Sequence, residues 1–281
     1  MGSDYLKIDK LCCGYGKDFN LQEVSITLNK GAFAGIIGPN GSGKTTLFKG
    51  ISGSLPVKSG AISLNNTNLN NLKPIEKARK LAVVTQYPDA AGIAVADYVL
   101  MGRLPYRETF QFFETKKDYE IAEKYMRLTG IFHHKDKLMS QLSSGEQQLA
   151  AIAQALSQEP ELLLLDEPTS HLDITHQVQL LNLLQQLNQK MDITVLMIIH
   201  DLNLAAEYCD YLIMMDHGKI FTKGTPHEVL NYQNIETVYN TVVVTQNNPL
   251  SGKPAIFLVS ENIMKNQKKH QEAPQVKPPA S

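Results

Sequence analysis

The stretch GPNGSGKTT, from Gly38 to Thr46, constrains this chain more than any other. It reads G-x-x-x-x-G-K-[ST], with Gly38, Gly43, Lys44 and Thr45 in the fixed places, and so forms a phosphate-binding loop. The glycines allow a tight turn that points consecutive backbone N–H groups at phosphate oxygens, with Pro39, Asn40, Gly41 and Ser42 completing the cradle. Lys44 can reach the β- and γ-phosphates, and Thr45 can offer its hydroxyl to Mg²⁺. A helix starting near Lys44, with Thr46, Leu47 and Phe48 in its first turns, adds its positive dipole end. The apolar run from Phe33 to Ile37 precedes the loop as a short buried strand. A chance Gly-rich turn would not need strand, loop and helix in that order; the motif does.

The second constraint is ELLLLDEPTS, Glu161 to Ser170. Four leucines make a buried strand whose end presents Asp166 and Glu167 together. Two carboxylates at the end of an apolar strand are costly unless they have partners or work. Behind a phosphate loop, Asp166 can hold Mg²⁺ opposite Thr45, and Glu167 can polarise the water that attacks the γ-phosphate. The alternative, a cap and a surface salt bridge, would prevail only if the loop were absent. The third element is LSSGE, Leu142 to Glu146, with Gly145 lying 21 positions before Asp166. Ser143 and Glu146 have the spacing of a capping box, and a serine and a glycine at a helix start also form an anion site.

At 281 residues the chain has room for one large domain or two small ones. A net charge of −1 provides no basic field to recruit nucleic acid. The 3 cysteines, Cys12, Cys13 and Cys209, make no disulfide framework and fit a reducing compartment. No apolar run approaches the roughly 18 residues of a transmembrane helix, and no secretory signal is expected. Strands are predicted over Tyr5–Cys12, Leu21–Leu28 and Ala32–Ile37, then Ala61–Leu64 after a turn at Lys58-Ser59-Gly60. Pro74–Lys80 reads as a short helix and Leu81–Thr85 as a strand ending at Gln86. The pattern from Tyr87 to Gln158 is helical, with a capping box at Thr115 and Asp118. Helix Asp173–Lys190 is expected to pack Val178, Leu181 and Leu184. Strand Asp192–Ile199, helix Leu202–Tyr208, a hairpin around Asp216-His217-Gly218 and two strands flanking Asn248–Gly252 follow. His133, His134, His171, His176 and His217 share no metal-ligand spacing and read as surface or turn residues.

Phosphate loop, LSSGE, DEP and a later IIHD together resemble the ATPase subunit of an ATP-binding-cassette (ABC) transporter, over residues 5 to about 260. The resemblance implies an α/β fold: a P-loop NTPase core with an N-terminal antiparallel β subdomain and an inserted α-helical subdomain at about 87–158. Residues 1–262 would form one ATPase domain, and 263–281 a disordered tail. It implies that Tyr15, 23 positions before the loop, stacks on adenine. Gln86 would contact Mg²⁺ or its water and sense the membrane partner. His200 would hold the γ-phosphate, and Asp173 would lie in the segment that crosses the dimer. Ser143, Ser144, Gly145 and Glu146 would address the ATP of a second copy, so that two chains sandwich two nucleotides. The family motif is LSGGQ; here Ser144 replaces a glycine, which costs energy if that position needs positive φ, and Glu146 replaces a glutamine. GRLPY, Gly102–Tyr106, and HDLNLAAEYCDYLIMM, His200–Met215, resemble the importer branch for iron–siderophore, haem and cobalamin uptake. That branch implies multi-span permease subunits, an extracytoplasmic substrate-binding protein, and peripheral attachment at the cytoplasmic face of the membrane. A groove for the permease is expected between Tyr87 and Tyr106. The other reading is a soluble cassette ATPase, such as one serving iron–sulfur cluster assembly; a nucleic-acid-acting cassette would need a second cassette or a long coiled coil.

Overall fold

Alternation along the central strands decides the architecture. In Phe33–Ile37, Phe33 and Ile37 face one core while Ala34 and Ile36 face another; in Leu162–Asp166, Leu163 and Leu165 face the first, and Leu162 and Leu164 the second. A strand with apolar residues on both faces must be covered on both. The computed structural model describes residues 4–16, 19–85, 92–108, 111 and 113–260.

Four strands lead to the phosphate loop: β1 (Leu6–Tyr15), β2 (Phe19–Asn20), β3 (Val24–Leu28) and β4 (Phe33–Ile37). After it come α1 (Lys44–Ser52), β5 (Val57–Leu64), β6 (Thr67–Asn68), α2 (Pro74–Lys80) and β7 (Leu81–Val84). The helical region holds α3 (Val95–Leu100), α4 (Lys116–Leu128) and α5 (Ser144–Ser157). The core then resumes with β8 (Leu162–Asp166), α6 (Ile174–Met191), β9 (Thr194–Ile198) and α7 (Leu202–Tyr208). The hairpin β10 (Tyr211–Asp216) and β11 (Lys219–Gly224) follows, then α8 (Pro226–Val229), α9 (Tyr232–Tyr239), β12 (Val243–Asn247) and β13 (Pro254–Leu258).

The main sheet runs β11-β10-β4-β9-β8-β7, parallel except for β11. Its strands therefore end on one rim, where α/β sheets bind ligands. A second sheet is antiparallel, with β1 pairing β2, β3 and β5, and β5 pairing β6. Helix α1 is sandwiched between the two: Leu47, Phe48 and Ile51 join the core built from β1, β3, β5 and one face of β4, β8, β9 and β10. The opposite face of the main sheet is covered by α5, α6 and α7, and the same core extends into α3 and α4. Each leucine of β8 is at most 1% exposed, and burying one contributes about 1.5–3 kcal/mol.

The structure departs from the sequence expectations at identifiable places. Lys58-Ser59-Gly60 is not a turn but part of β5. Gly60 sits at φ +92, where a Cβ would run into the carbonyl oxygens of Asp9 and Lys10, and the β1–β5 register slips between Asp9 and Cys12. The glycine marks a bulge. Strand β1 continues past Cys12 to Tyr15, which pairs with Phe19. Val178 is 36% exposed, because the first turns of α6 stand clear of the core; Leu180, Leu181, Leu184 and Leu187 are its buried residues. The expected capping box of α4 is present: Thr115 Oγ1 accepts the Asp118 N–H, and Asp118 accepts the Thr115 N–H at 2.9 Å. Gln86, part of the expected permease groove (87–91) and the tail lie outside the described residues.

Candidate functional site

The loop closes where β4 meets α1. Gly38 has φ +146, and a side chain there would strike the Met215 carbonyl oxygen and Ser42 Oγ, so only glycine lets the chain pass β10 this closely. Gly43, at φ +106, precedes the first residue of α1 and turns the backbone into the helix. Lys44 is 5% exposed. Its Nζ donates to the carbonyls of Gly38 at 2.8 Å and Pro39 at 2.9 Å. Burial pulls its pKa down, and the nearby charges of Glu167 and Asp166 oppose that shift. Thr45 is exposed beside it, while Ser42 Oγ is buried without a hydrogen-bond partner.

Asp166 and Glu167 are consecutive, and on a regular strand they would point to opposite faces. The backbone breaks that alternation: Glu167 has φ +52, a left-handed conformation costing a non-glycine residue about 1–3 kcal/mol. A turn in which Ser170 N–H donates to the Glu167 carbonyl holds it there. Both carboxylates then lie near Lys44. Glu167 Oε1 and His200 Nε2 are 2.5 Å apart, and Ser170 Oγ donates to Glu167 Oε2 at 3.1 Å. Burial and the neighbouring Glu167 charge raise the pKa of Asp166. A divalent cation would relieve that strain. Among the described residues no cluster of three His, Cys, Asp or Glu could hold a metal alone. A donor set of one carboxylate and one hydroxyl therefore suits Mg²⁺, which takes few protein ligands and completes its shell with phosphate oxygens and water.

A cavity of about 270 Å³ joins Tyr15, Asn40, Gly41, Gly43, Lys44, Thr45, Thr46 and Glu167. Tyr15, 47% exposed, is brought there by the extension of β1, and Lys49 Nζ lies 5.6 Å from its ring centroid. This arrangement can seat an aromatic base on Tyr15, bind phosphates on the loop and present a carboxylate to water. His200 reaches the site through Glu167. The LSSGE residues do not join it. Ser143, Gly145 and Glu146 line a separate cavity of about 370 Å³, shared with Leu172 and His176.

Ser143 is the N-cap of α5 and accepts the Glu146 N–H at 3.3 Å. Ser144 is the first helical residue and is not among the positive-φ positions, so the cost expected of a serine there does not arise. Asp173 caps α6: it accepts the His176 N–H at 2.9 Å and also contacts His176 Nδ1. These contacts hold its carboxyl below the usual range. Two histidines read as surface or turn residues are engaged here. His176 lines the second cavity, and His134, with its side chain 15% exposed, meets Glu146 Oε1 at 2.9 Å. Local spacing carries no signal for a pair twelve positions apart in separate elements.

Residues 21–170 match the family model described as ABC transporter. The chain is 36% identical over 252 residues to the ferric enterobactin transport ATP-binding protein FepC of Escherichia coli (strain K12), covering 89% of this chain and 93% of that protein. It is 39% identical over 257 residues to the uncharacterized ABC transporter ATP-binding protein YvrA of Bacillus subtilis (strain 168), covering 91% of this chain but only 58% of that longer protein. Among solved structures it resembles a chain from an ABC transporter described as of metal-chelate type, in an inward-facing conformation. The TM-score there is 0.80 at 26% identity, covering 92% of this chain and 98% of the other.

Proposed function

The chain belongs to the ABC transporter family, and on that premise we propose that it is the ATP-binding and ATP-hydrolysing subunit of an importer for an iron–siderophore, haem or cobalamin-type metal chelate. The observation that carries this reading is the convergence of Lys44, Glu167 and, through Glu167, His200 at one cavity, with Asp166 close to Lys44 and Glu167, while Ser143, Gly145 and Glu146 line another. ATP seated on the loop would stack its base on Tyr15 and place its phosphates against Gly38–Thr46. Mg²⁺, held by Thr45, Asp166 and Gln86, would neutralise phosphate charge during transfer. Glu167 takes the proton of the attacking water, oriented by His200 and Ser170. His200 would also hold the γ-phosphate. Since Ser143–Glu146 line a cavity of their own, a second copy would supply them, with Asp173 beside the crossing point, and two chains would close over two ATP molecules.

Hydrolysis would remove the charge that holds the halves together, and opening would drive the permease. The chain would sit at the cytoplasmic face of the membrane through that permease. Among the described residues no helix is long and apolar enough to cross a membrane. The name of FepC and the metal-chelate type of the structural neighbour support the cargo class, and they favour the permease-coupled reading over a soluble cassette. A substrate-binding protein would deliver the chelate from the other side. The test is co-purification with membrane subunits, reconstitution in vesicles, and ATP turnover with a panel of ferric siderophores, haem and cobalamin. One chelate should stimulate turnover and be taken up. Purification without membrane subunits, and turnover indifferent to the whole panel, would overturn the importer reading.

A further inference from the structure

Glu146 places a negative charge in the first turn of α5, the helix end that the sandwich aims at a phosphate. The helix dipole favours a carboxylate there, but a free carboxylate repels an arriving γ-phosphate. In the structure the group is tied down beside Ser143 in the second cavity. Its Oε2 accepts the Ser143 N–H at 2.7 Å and the Ser143 hydroxyl at 2.8 Å, and its Oε1 meets His134 Nε2 at 2.9 Å. These contacts, with Lys137 nearby, hold its carboxyl below the usual range. Of the three contacts, only the one to His134 comes from outside the capping turn. His134 belongs to the short turn Phe132–His134, which follows α4. Its Nδ1 is buried with no hydrogen-bond partner.

We propose that His134 is a positioning residue for the nucleotide site formed with the second copy: through Glu146 it steadies the α5 capping turn that carries Ser143. The proposal rests on the sandwich reading above. His134 touches no nucleotide; it ties the α5 capping turn to the α4 side of the helical region, so the serine and the helix N-terminus are presented as one rigid unit. Without it, the carboxylate keeps only its bonds to Ser143, the group that must turn to phosphate.

The test compares His134→Ala with His134→Gln, whose amide N–H can replace the Nε2 donor, in the full chain. His134→Ala should lower kcat about threefold to tenfold, as expected for one lost polar contact, and weaken ATP-dependent dimerisation of a Glu167→Gln chain by a similar factor. Affinity of the monomeric chain for a non-hydrolysed ATP analogue should stay within about twofold, since the analogue sits on the other cavity. His134→Gln should recover most of the loss, and His134→Ala should cost less in a Glu146→Gln background, where no charge needs holding. The proposal is overturned if His134→Ala leaves kcat within about twofold of the parent, if His134→Gln does no better, or if the loss is unchanged beside Glu146→Gln. Ser143→Arg separates the two levels. If that variant keeps full turnover, the sandwich reading fails; if it is inactive while His134 proves indifferent, only the present inference fails.

Discussion

Glu167 shows how much one backbone angle contributes to the site. The left-handed turn at φ +52 sets it beside Lys44, where Ser170 and His200 each hold one carboxylate oxygen. Glu167→Gln keeps the shape and most of these contacts but cannot take a proton. Turnover should fall by about 10²–10⁴-fold, the range for losing a general base, while Mg-ATP is still bound. Phosphate release and nucleotide binding, measured on the same preparation, check both halves; hydrolysis at the parent rate would remove Glu167 from the role of base. Lys44→Ala should do the opposite and abolish most ATP affinity, because no other described residue in the cavity carries a cation to the phosphates. The proximity of Lys44, Asp166 and Glu167 was legible in the sequence because a charged group beside an apolar run has few explanations. His134 was not, because its partner is Glu146 in a different element, and local spacing is silent about contacts made across a turn. The cost conditional on positive φ at Ser144 does not arise, because its backbone is that of an ordinary first helical residue.

At the scale of elements, periodicity was informative where a segment is buried on defined faces and uninformative where glycine has two meanings. The β8 strand and the helices α1, α5 and α6 follow their patterns. Lys58-Ser59-Gly60 reads as a turn from its composition, and only the close backbone of β1 shows it to be a bulge within β5. Arg103 is a further case. It sits in GRLPY, yet its guanidinium is buried and ties the helices together. It pairs with Asp118 of α4 at 3.1 Å and Glu159 at 3.0 Å, donates to the Ser157 carbonyl at 2.6 Å and lies 4.0 Å from the Tyr106 ring centroid. Arg103→Ala should cost about 3–5 kcal/mol in urea unfolding, because it strands buried acceptors and a carboxylate. That cost has a pH signature. Burial pushes the Asp118 carboxyl up, but Thr115 and Arg103 outweigh it and hold the pKa below the usual carboxylate value. A depressed folded pKa stabilises the fold above the unfolded value, near 4, and the benefit is lost as pH falls through the folded value. The gap between parent and Arg103→Ala should therefore be widest near neutrality and narrow below about pH 4. A gap constant with pH would assign the loss to packing instead.

At the scale of the whole molecule, the chain carries two cavities that share no lining residue. One cavity holds the phosphate loop and Glu167, and the other holds Ser143, Gly145 and Glu146. The split is legible in the sequence only through the resemblance, since nothing in the spacing of LSSGE and DEP assigns them to different cavities. The split can be tested by mixing two inactive chains. Lys44→Ala destroys a loop but leaves a sound Ser143, and Ser143→Arg does the reverse. In a mixed dimer the sound loop faces the sound serine, while the arginine faces the emptied loop, where it obstructs no bound phosphate. Random pairing of equal amounts makes about half the dimers mixed, each with one competent site of two, so about a quarter of the full set of sites should be sound. Turnover should then appear in the mixture although each chain alone is inactive, and it should scale with the product of the two concentrations before pairing saturates. If both half-sites instead served the nucleotide of their own chain, every chain in the mixture would remain defective, and no activity would return at any ratio.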